Sequence, residues 1–221
     1  MGARITAIRK AGGESSRVAV FVDGKEAFRV SEQMVGLLGL VVGRELAPDE
    51  FESLETDVEI GKAKDAALRL LGIRARSRSE LEDRLSRKGF RPDAIESVIG
   101  DLDGAGLVDD RAFAGLWVDE RTRLRPCGRM RLTQELRAKG VAPSVIDEAI
   151  SESFDEVPEI ELARRAAARK SARLKGDPKG RAKLHSFLLR RGFGYELAGQ
   201  VTREFEDHAD DHGEVGTGDP D

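Results

Sequence analysis

The chain has 221 residues, enough to bury a core of its own, and 35% of them are charged against 39% apolar and only 5% aromatic. That balance argues against a pocket lined by large apolar side chains and suits exposed helices that bury narrow stripes. No apolar run approaches the roughly 20 residues that cross a bilayer, residues 1–10 lack the apolar stretch of a signal peptide, and a single cysteine, Cys127, excludes an internal disulfide and a cysteine metal cage. The expected compartment is therefore the cytoplasm, with no membrane partner; the chain is also expected to be a monomer.

The formal net charge of −4 hides a division along the chain. Residues 1–60 carry 7 basic and 11 acidic side chains, residues 61–203 carry 30 and 22, and residues 204–221 carry none and 8. The middle is basic enough to meet a phosphate backbone or an acidic protein face.

The first elements in chain order are strands. Arg4–Lys10 and Arg17–Val22 are rich in β-branched residues, and Asp23-Gly24 is a two-residue hairpin signal before Lys25–Val30. Ser31 is placed to cap a short helix through Leu38, and Gly36, Gly39 and Gly43 keep the following stretch short and irregular. Residues 1–55 are thus predicted to form a small β-rich unit. From Asp57 the pattern turns helical, with Ala63, Ala66, Ala67, Leu70 and Leu71 on one face and Lys62, Lys64 and Arg69 outside it.

A unit then recurs three times: SELEDRLSRKGFRPDAIESVI at 79–99, MRLTQELRAKGVAPSVIDEAI at 130–150 and, more loosely, AKLHSFLLRRGFGYELAGQVT at 182–202. Leu81/Leu85, Leu132/Leu136 and Leu184/Leu188 are i, i+4 pairs on a first helix. Gly89, Gly140 and Gly192 follow where a left-handed residue ends a helix, and Phe90, Val141 and Phe193 fall where the apolar contact of a Schellman cap is made. Pro92 and Pro143 suit the first turn of a second helix, whose buried stripes are Ile95/Val98/Ile99 and Ile146/Ala149/Ile150; the third copy offers Ala198/Val201.

A third helix follows each of the first two pairs. Asp109 or Asp110 caps one carrying Phe113, Leu116, Trp117 and Leu124; Pro158 opens the other through about Leu174, with Ile160, Ala163 and Ala167 inward. The expected fold is mainly α, an elongated, curved series of tandem three-helix repeats behind the β-rich unit. Its divisions are a first module with a lead-in helix at 56–125, a second at 126–175, a truncated third at 176–206 and an acidic disordered tail at 207–221.

Residues that could carry chemistry have plainer readings. His185 reads as a surface or half-buried helical histidine. His208 and His212 are spaced for a metal on a helix but sit in the acidic tail. Asp109-Asp110 suits helix capping better than a carboxylate dyad. Arg125 and Arg129 flank Cys127, a setting that can lower a thiol's pKa, yet no base or orienting partner accompanies it, so it reads as an incidental thiol. Trp117 is read as core. No nucleotide-binding loop, nucleophile elbow or zinc-protease motif is present, and no catalytic residue, metal or cofactor is assigned.

The basic residues say more. Arg84, Arg87 and Lys88, then Arg137 and Lys139, then Arg190 and Arg191 recur near the ends of the repeat's first helices, partly as a response to the helix dipole. Beyond that, Arg165, Arg169 and Arg173 follow at four-residue steps on one face, and Arg121, Arg123, Arg125, Arg129 and Arg131 form a second cluster. A merely solvated face interleaves more acid. The candidate contact residues for a phosphate backbone or an acidic partner are Arg121, Arg125, Arg129, Arg131, Arg165, Arg169 and Arg173.

The segments LRLLGIRARSRSELEDRLSRKGF, LDGAGLVDDRAFA and GRMRLTQELRAKGV, in that order, closely resemble RecX, the family of bacterial regulators of the RecA recombinase; the resemblance covers about residues 61–205. It implies tandem three-helix repeats and a non-enzymatic role in homologous recombination, DNA repair and the SOS response. RecX-like proteins bind RecA and its DNA filament and lower ATP hydrolysis and strand exchange. The implied partners are the RecA filament and single-stranded or duplex DNA held without sequence preference. The alternative reading of the same repeats is a stand-alone helical-repeat DNA-binding regulator, since each helical pair has the outline of a helix-turn-helix.

Overall fold

The structure is a computed structural model in which residues 2–10 and 17–210 are described, side chains to residue 205. It divides into two compact units, residues 1–108 and 109–221.

The first unit opens with strands β1 (Ala3–Lys10), β2 (Arg17–Val22), β3 (Lys25–Ser31) and the two-residue β4 (Glu45–Leu46), antiparallel in the order β3-β2-β1-β4. The β2–β3 hairpin turns on the expected pair: Val22 faces Lys25, and Asp23 and Gly24 both take positive φ, 49° and 78°. Helix α1 (Glu32–Leu37) starts on Ser31, whose Oγ accepts from the Met34 N–H at 3.4 Å.

Helix α2 runs Pro48–Leu71, nine residues ahead of the helical start expected at Asp57. Pro48 fills a first-turn position where no N–H is needed, and the Ala47 N–H donates to Glu50 Oε2 at 2.8 Å, so the helix is nucleated within a stretch that reads as loop. The boundary expected near residue 55 falls inside this helix. Its first half places Leu54 and Val58 against Ile5, Val20, Phe28 and Leu46 under the sheet. Its second half places Ala63, Ala66 and Ala67 against α3 (Arg78–Ser86) and α4 (Pro92–Gly104).

The second unit contains α5 (Asp110–Leu124), α6 (Arg129–Arg137), α7 (Pro143–Glu156), α8 (Glu159–Ser171), α9 (Gly180–Arg190) and α10 (Tyr195–Asp210). Its cores correct the phase of the repeat. Phe113, Ala114 and Val118 of α5 pack with Leu132, Leu136, Ile146 and Ile150 of the pair that follows. Leu162, Ala163, Ala166 and Ala167 of α8 pack likewise with Leu184, Leu188, Ala198 and Val201. Each module is a lead-in helix plus a pair, so the third module is complete. α5 is rotated from the expected stripe: Leu116 and Leu124 are exposed, Trp117 is half-buried, and the small Ala114 faces inward because the helices approach closely there.

The repeated cap is the same in all three modules. Gly89, Gly140 and Gly192 have φ of 87°, 74° and 84°. The N–H groups of Phe90, Val141 and Phe193 donate to the carbonyls of Leu85, Leu136 and Leu188 at 3.4, 3.2 and 3.2 Å, and the glycine N–H groups donate to Ser86, Arg137 and Leu189. α10 reaches Asp210, while residues 211–221, His212 among them, and the side chain of His208 lie outside the described residues.

Candidate functional site

The helix ends of the second unit gather arginines. Asp109 caps α5, its Oδ1 accepting from the N–H groups of Arg111 and Ala112 at 2.8 and 3.0 Å, which is the helix-capping role expected for this pair of aspartates. At the other end of α5 the chain turns through Pro126, Cys127 and Gly128 into α6. There the Gly128 N–H donates to the Arg191 carbonyl at 2.9 Å. A Cβ on Gly128 would collide with the Gly192 carbonyl, and one on Gly192 would collide with the backbone of Arg131. Two glycines thus let the start of α6 rest on the cap of α9, and this contact fixes the roots of Arg131 and Arg191 side by side.

Two clusters follow, and they differ in what balances the charge. In the first, Glu135 is the hub: Arg121 Nε donates to it at 2.7 Å, Arg131 Nε at 3.0 Å and Trp117 Nε1 at 3.1 Å. The Arg121 guanidinium and the Lys139 ammonium lie 4.4 and 4.1 Å from the Trp117 ring centre. Burial works to raise the Glu135 carboxyl, but the bonds from Arg121 and Arg131 outweigh it and hold the group below its ordinary value. Arg121 and Arg131 are therefore tied to the fold.

In the second cluster arginines donate to backbone carbonyls at the ends of helices. Arg169 Nη1 reaches the Leu124 carbonyl at 3.1 Å and Arg191 Nη1 the Arg125 carbonyl at 3.4 Å, while Arg131, already paired with Glu135, also reaches the Arg190 carbonyl through Nη1 at 3.3 Å. These carbonyls lack a helical partner and carry the negative end of the dipole. They position the guanidinium groups without cancelling their charge. Among the described residues, no carboxylate forms an ion pair with Arg125, Arg169 or Arg191. Burial pushes the Arg191 guanidinium below its usual value, and the charges of Arg131, Arg125 and Arg169 push the same way. The three arginines line a cleft of about 210 Å³ with Leu124, Pro126, Ala166 and Phe187, and Arg191 lies 5.1 Å from the Phe187 ring centre. A guanidinium keeps its proton in any such setting, so the arrangement is a standing positive potential suited to an oxyanion.

Of the seven residues expected from sequence, the structure brings Arg125, Arg131 and Arg169 together around Arg191, and Arg121 joins them through Glu135. Arg129 lies apart from that hub: its N–H donates to Glu159 Oε1 at 2.9 Å and its guanidinium is 5.3 Å from the Phe154 ring centre. Arg165 is exposed on α8. The row expected through Arg173 is broken, because α8 ends at Ser171 and the Arg173 N–H donates three residues back to Lys170 in a tightened turn. Arg191 itself offers little in the sequence beyond a cation near a helix end. The basic neighbours do not activate Cys127: its thiol is pushed up to about 11, first by burial and then by Glu135, against the lowering effect of Arg131, Arg121 and Arg191.

The class these features define is a protein of three tandem three-helix domains with an arginine-rich surface on the second and third. Residues 63–102, 109–150 and 158–202 match the first, second and third three-helix domains of RecX. The chain belongs to the RecX family. It is 39% identical over 150 residues to the regulatory protein RecX of Prosthecochloris aestuarii, covering 67% of this chain and 97% of that one. Against the regulatory protein RecX of Clostridioides difficile it is 32% identical over 199 residues, 89% and 93% of the two chains. A crystal structure of regulatory protein RecX superposes with a TM-score of 0.68 at 27% identity, over 91% of this chain and 99% of that one. RecX from Lactobacillus salivarius gives 0.60 at 25%, over 67% and 97%. No helix among the described residues is long and apolar enough to cross a membrane.

Proposed function

We propose that the chain is a non-enzymatic modulator, mainly an inhibitor, of the RecA recombinase, which binds RecA and its DNA filament and lowers ATP hydrolysis and strand exchange. Membership of the RecX family and the regulatory role in its relatives' names support the reading. The observation that carries it is the cluster of Arg125, Arg169 and Arg191, whose partners are carbonyls rather than carboxylates. Such a cluster favours a polyanion without reading sequence, since guanidinium groups contact phosphates irrespective of the base. Three modules in one chain also add weak contacts along a polymer through effective concentration.

The test is RecA's DNA-dependent ATPase with this protein titrated at substoichiometric levels. The reading predicts inhibition and co-sedimentation with the filament. Neither effect with a matched RecA would sink it, and sequence-selective duplex binding in their place would favour the stand-alone DNA-binding regulator.

A further inference from the structure

The second unit has another feature that the arginine cluster does not use. Tyr195, the only tyrosine in the chain, opens α10 with 73% of its surface exposed. An isolated exposed tyrosine needs no explanation, but this one meets a second ring and borders a groove lined by basic side chains. The His185 ring of α9 meets it at 84°, with centroids 5.0 Å apart. In that geometry His185 covers at most one face of the phenol ring, so at least one face is left to another partner. The groove beside it has a volume of about 490 Å³ and is lined by Lys179, Arg181 and Arg203 as well as Gly199. Gly199 keeps the floor low: a Cβ there would meet only Arg203 Nη1, at 3.7 Å.

From this juxtaposition of an exposed aromatic face with three cations along a low groove, we infer that the α9–α10 face is a stacking site for a single-stranded nucleic acid. One unpaired base lies on Tyr195, and the flanking phosphates run past Lys179, Arg181 and Arg203. The combination fits an unpaired strand better than a duplex, because a duplex keeps its base faces inside the stack. It fits a strand better than an acidic peptide, because carboxylates use the cations and leave the aromatic face idle. Stacking tolerates any base, so the site carries no sequence preference. The inference deepens the nucleic-acid side of the function proposed above and rests on that reading for the nature of the polymer.

The experiment is fluorescence anisotropy of labelled oligo(dT) with the full chain at several salt concentrations, comparing wild type, Tyr195→Phe, Tyr195→Ala and Arg203→Gln. The expected result is that Tyr195→Phe binds within about twofold of wild type while Tyr195→Ala is weaker by about fivefold or more, with the salt slope unchanged. Arg203→Gln lowers both affinity and salt slope. Unchanged oligo(dT) binding by Tyr195→Ala, or an equal loss for duplex DNA or for a poly-glutamate peptide, would overturn the inference. Circular dichroism of the variants controls for folding. The same preparations, assayed for RecA inhibition, separate the two claims. Wild type that inhibits RecA while Tyr195→Ala binds oligo(dT) normally overturns only the stacking site. Wild type that fails to inhibit RecA, with Tyr195-dependent binding intact, overturns only the proposed regulatory function.

Discussion

The caps around Gly89 and Gly192 share one backbone conformation and have opposite surroundings. At Gly89 nothing lies within 4 Å of where a Cβ would be, and basic residues of that module are matched by acids: Arg74 with Glu80 at 3.0 Å, Arg78 with Asp103 at 3.2 Å, Arg91 with Glu59 at 2.7 Å. At Gly192 the start of α6 presses on the cap, and Arg191, Arg125 and Arg169 find carbonyls instead of carboxylates. The repeat supplies a scaffold in both places. It becomes a candidate site only where a neighbouring module crowds the cap and leaves the charges uncompensated, so a count of arginines per helix says less than what each arginine is bonded to.

The largest expected effect is on the caps themselves. Gly89→Ala costs about 1–2 kcal/mol, the strain of a left-handed residue bearing a Cβ. Gly192→Ala adds overpacking against Arg131 and costs about 2–5 kcal/mol in total. Urea melts of both variants check the difference; equal losses would mean that the α6–α9 contact is not tight.

The balanced cluster offers a smaller effect with a pH signature. Glu135→Gln removes the charge that Arg121 and Arg131 share and destabilises the second unit by about 1–3 kcal/mol near neutral pH. The Glu135 carboxyl is held below its ordinary value of 4.5, so its contribution is complete above that value and is lost as pH falls through the lower folded one. Wild type and variant should therefore converge in stability as pH falls through that lower value, as urea melts across the acid range will show; a constant gap would contradict the pairing.

The smallest effect concerns Cys127. With its thiol pushed up to about 11, first by burial, the folded protein should react with a disulfide reagent at pH 8 only as fast as the second unit opens. What burial of the neutral thiol contributes to stability is complete below the unfolded value of about 9 and lost as pH rises toward 11. Rapid labelling under native conditions would show instead that Arg131, Arg121 and Arg191 dominate the thiol's environment.

The caps were legible in the sequence because they are local: a leucine, a glycine and an apolar residue within six positions set both the conformation and the contact. The Asp23-Gly24 hairpin and the Ser31 cap were legible for the same reason. The phase of the modules was not. Which neighbouring pair α5 packs against depends on a tertiary choice that buries Ala114 and Val118 and leaves the larger Leu116 and Leu124 in solvent. The start of α2 was hidden because Pro48 and Glu50 suit a loop as well as a first turn. At the candidate site, Arg125 and Arg169 stood out by composition. Arg191 did not, since the carbonyl it meets belongs to a residue 66 positions away, and the sequence does not show which arginines find a carboxylate and which a carbonyl.

The central claim is that uncompensated arginines, not basic residues in general, bind the filament. Its most direct test is the RecA–single-stranded DNA filament ATPase, measured with two matched charge-removal variants: Arg125→Gln/Arg169→Gln/Arg191→Gln in the second unit and Arg74→Gln/Arg78→Gln/Arg91→Gln in the first. Each removes three positive charges. Inhibition that weakens by about tenfold or more for the second-unit set and by less than about threefold for the first-unit set is the predicted result. Equal losses, or a larger loss from the first-unit set, would contradict the account.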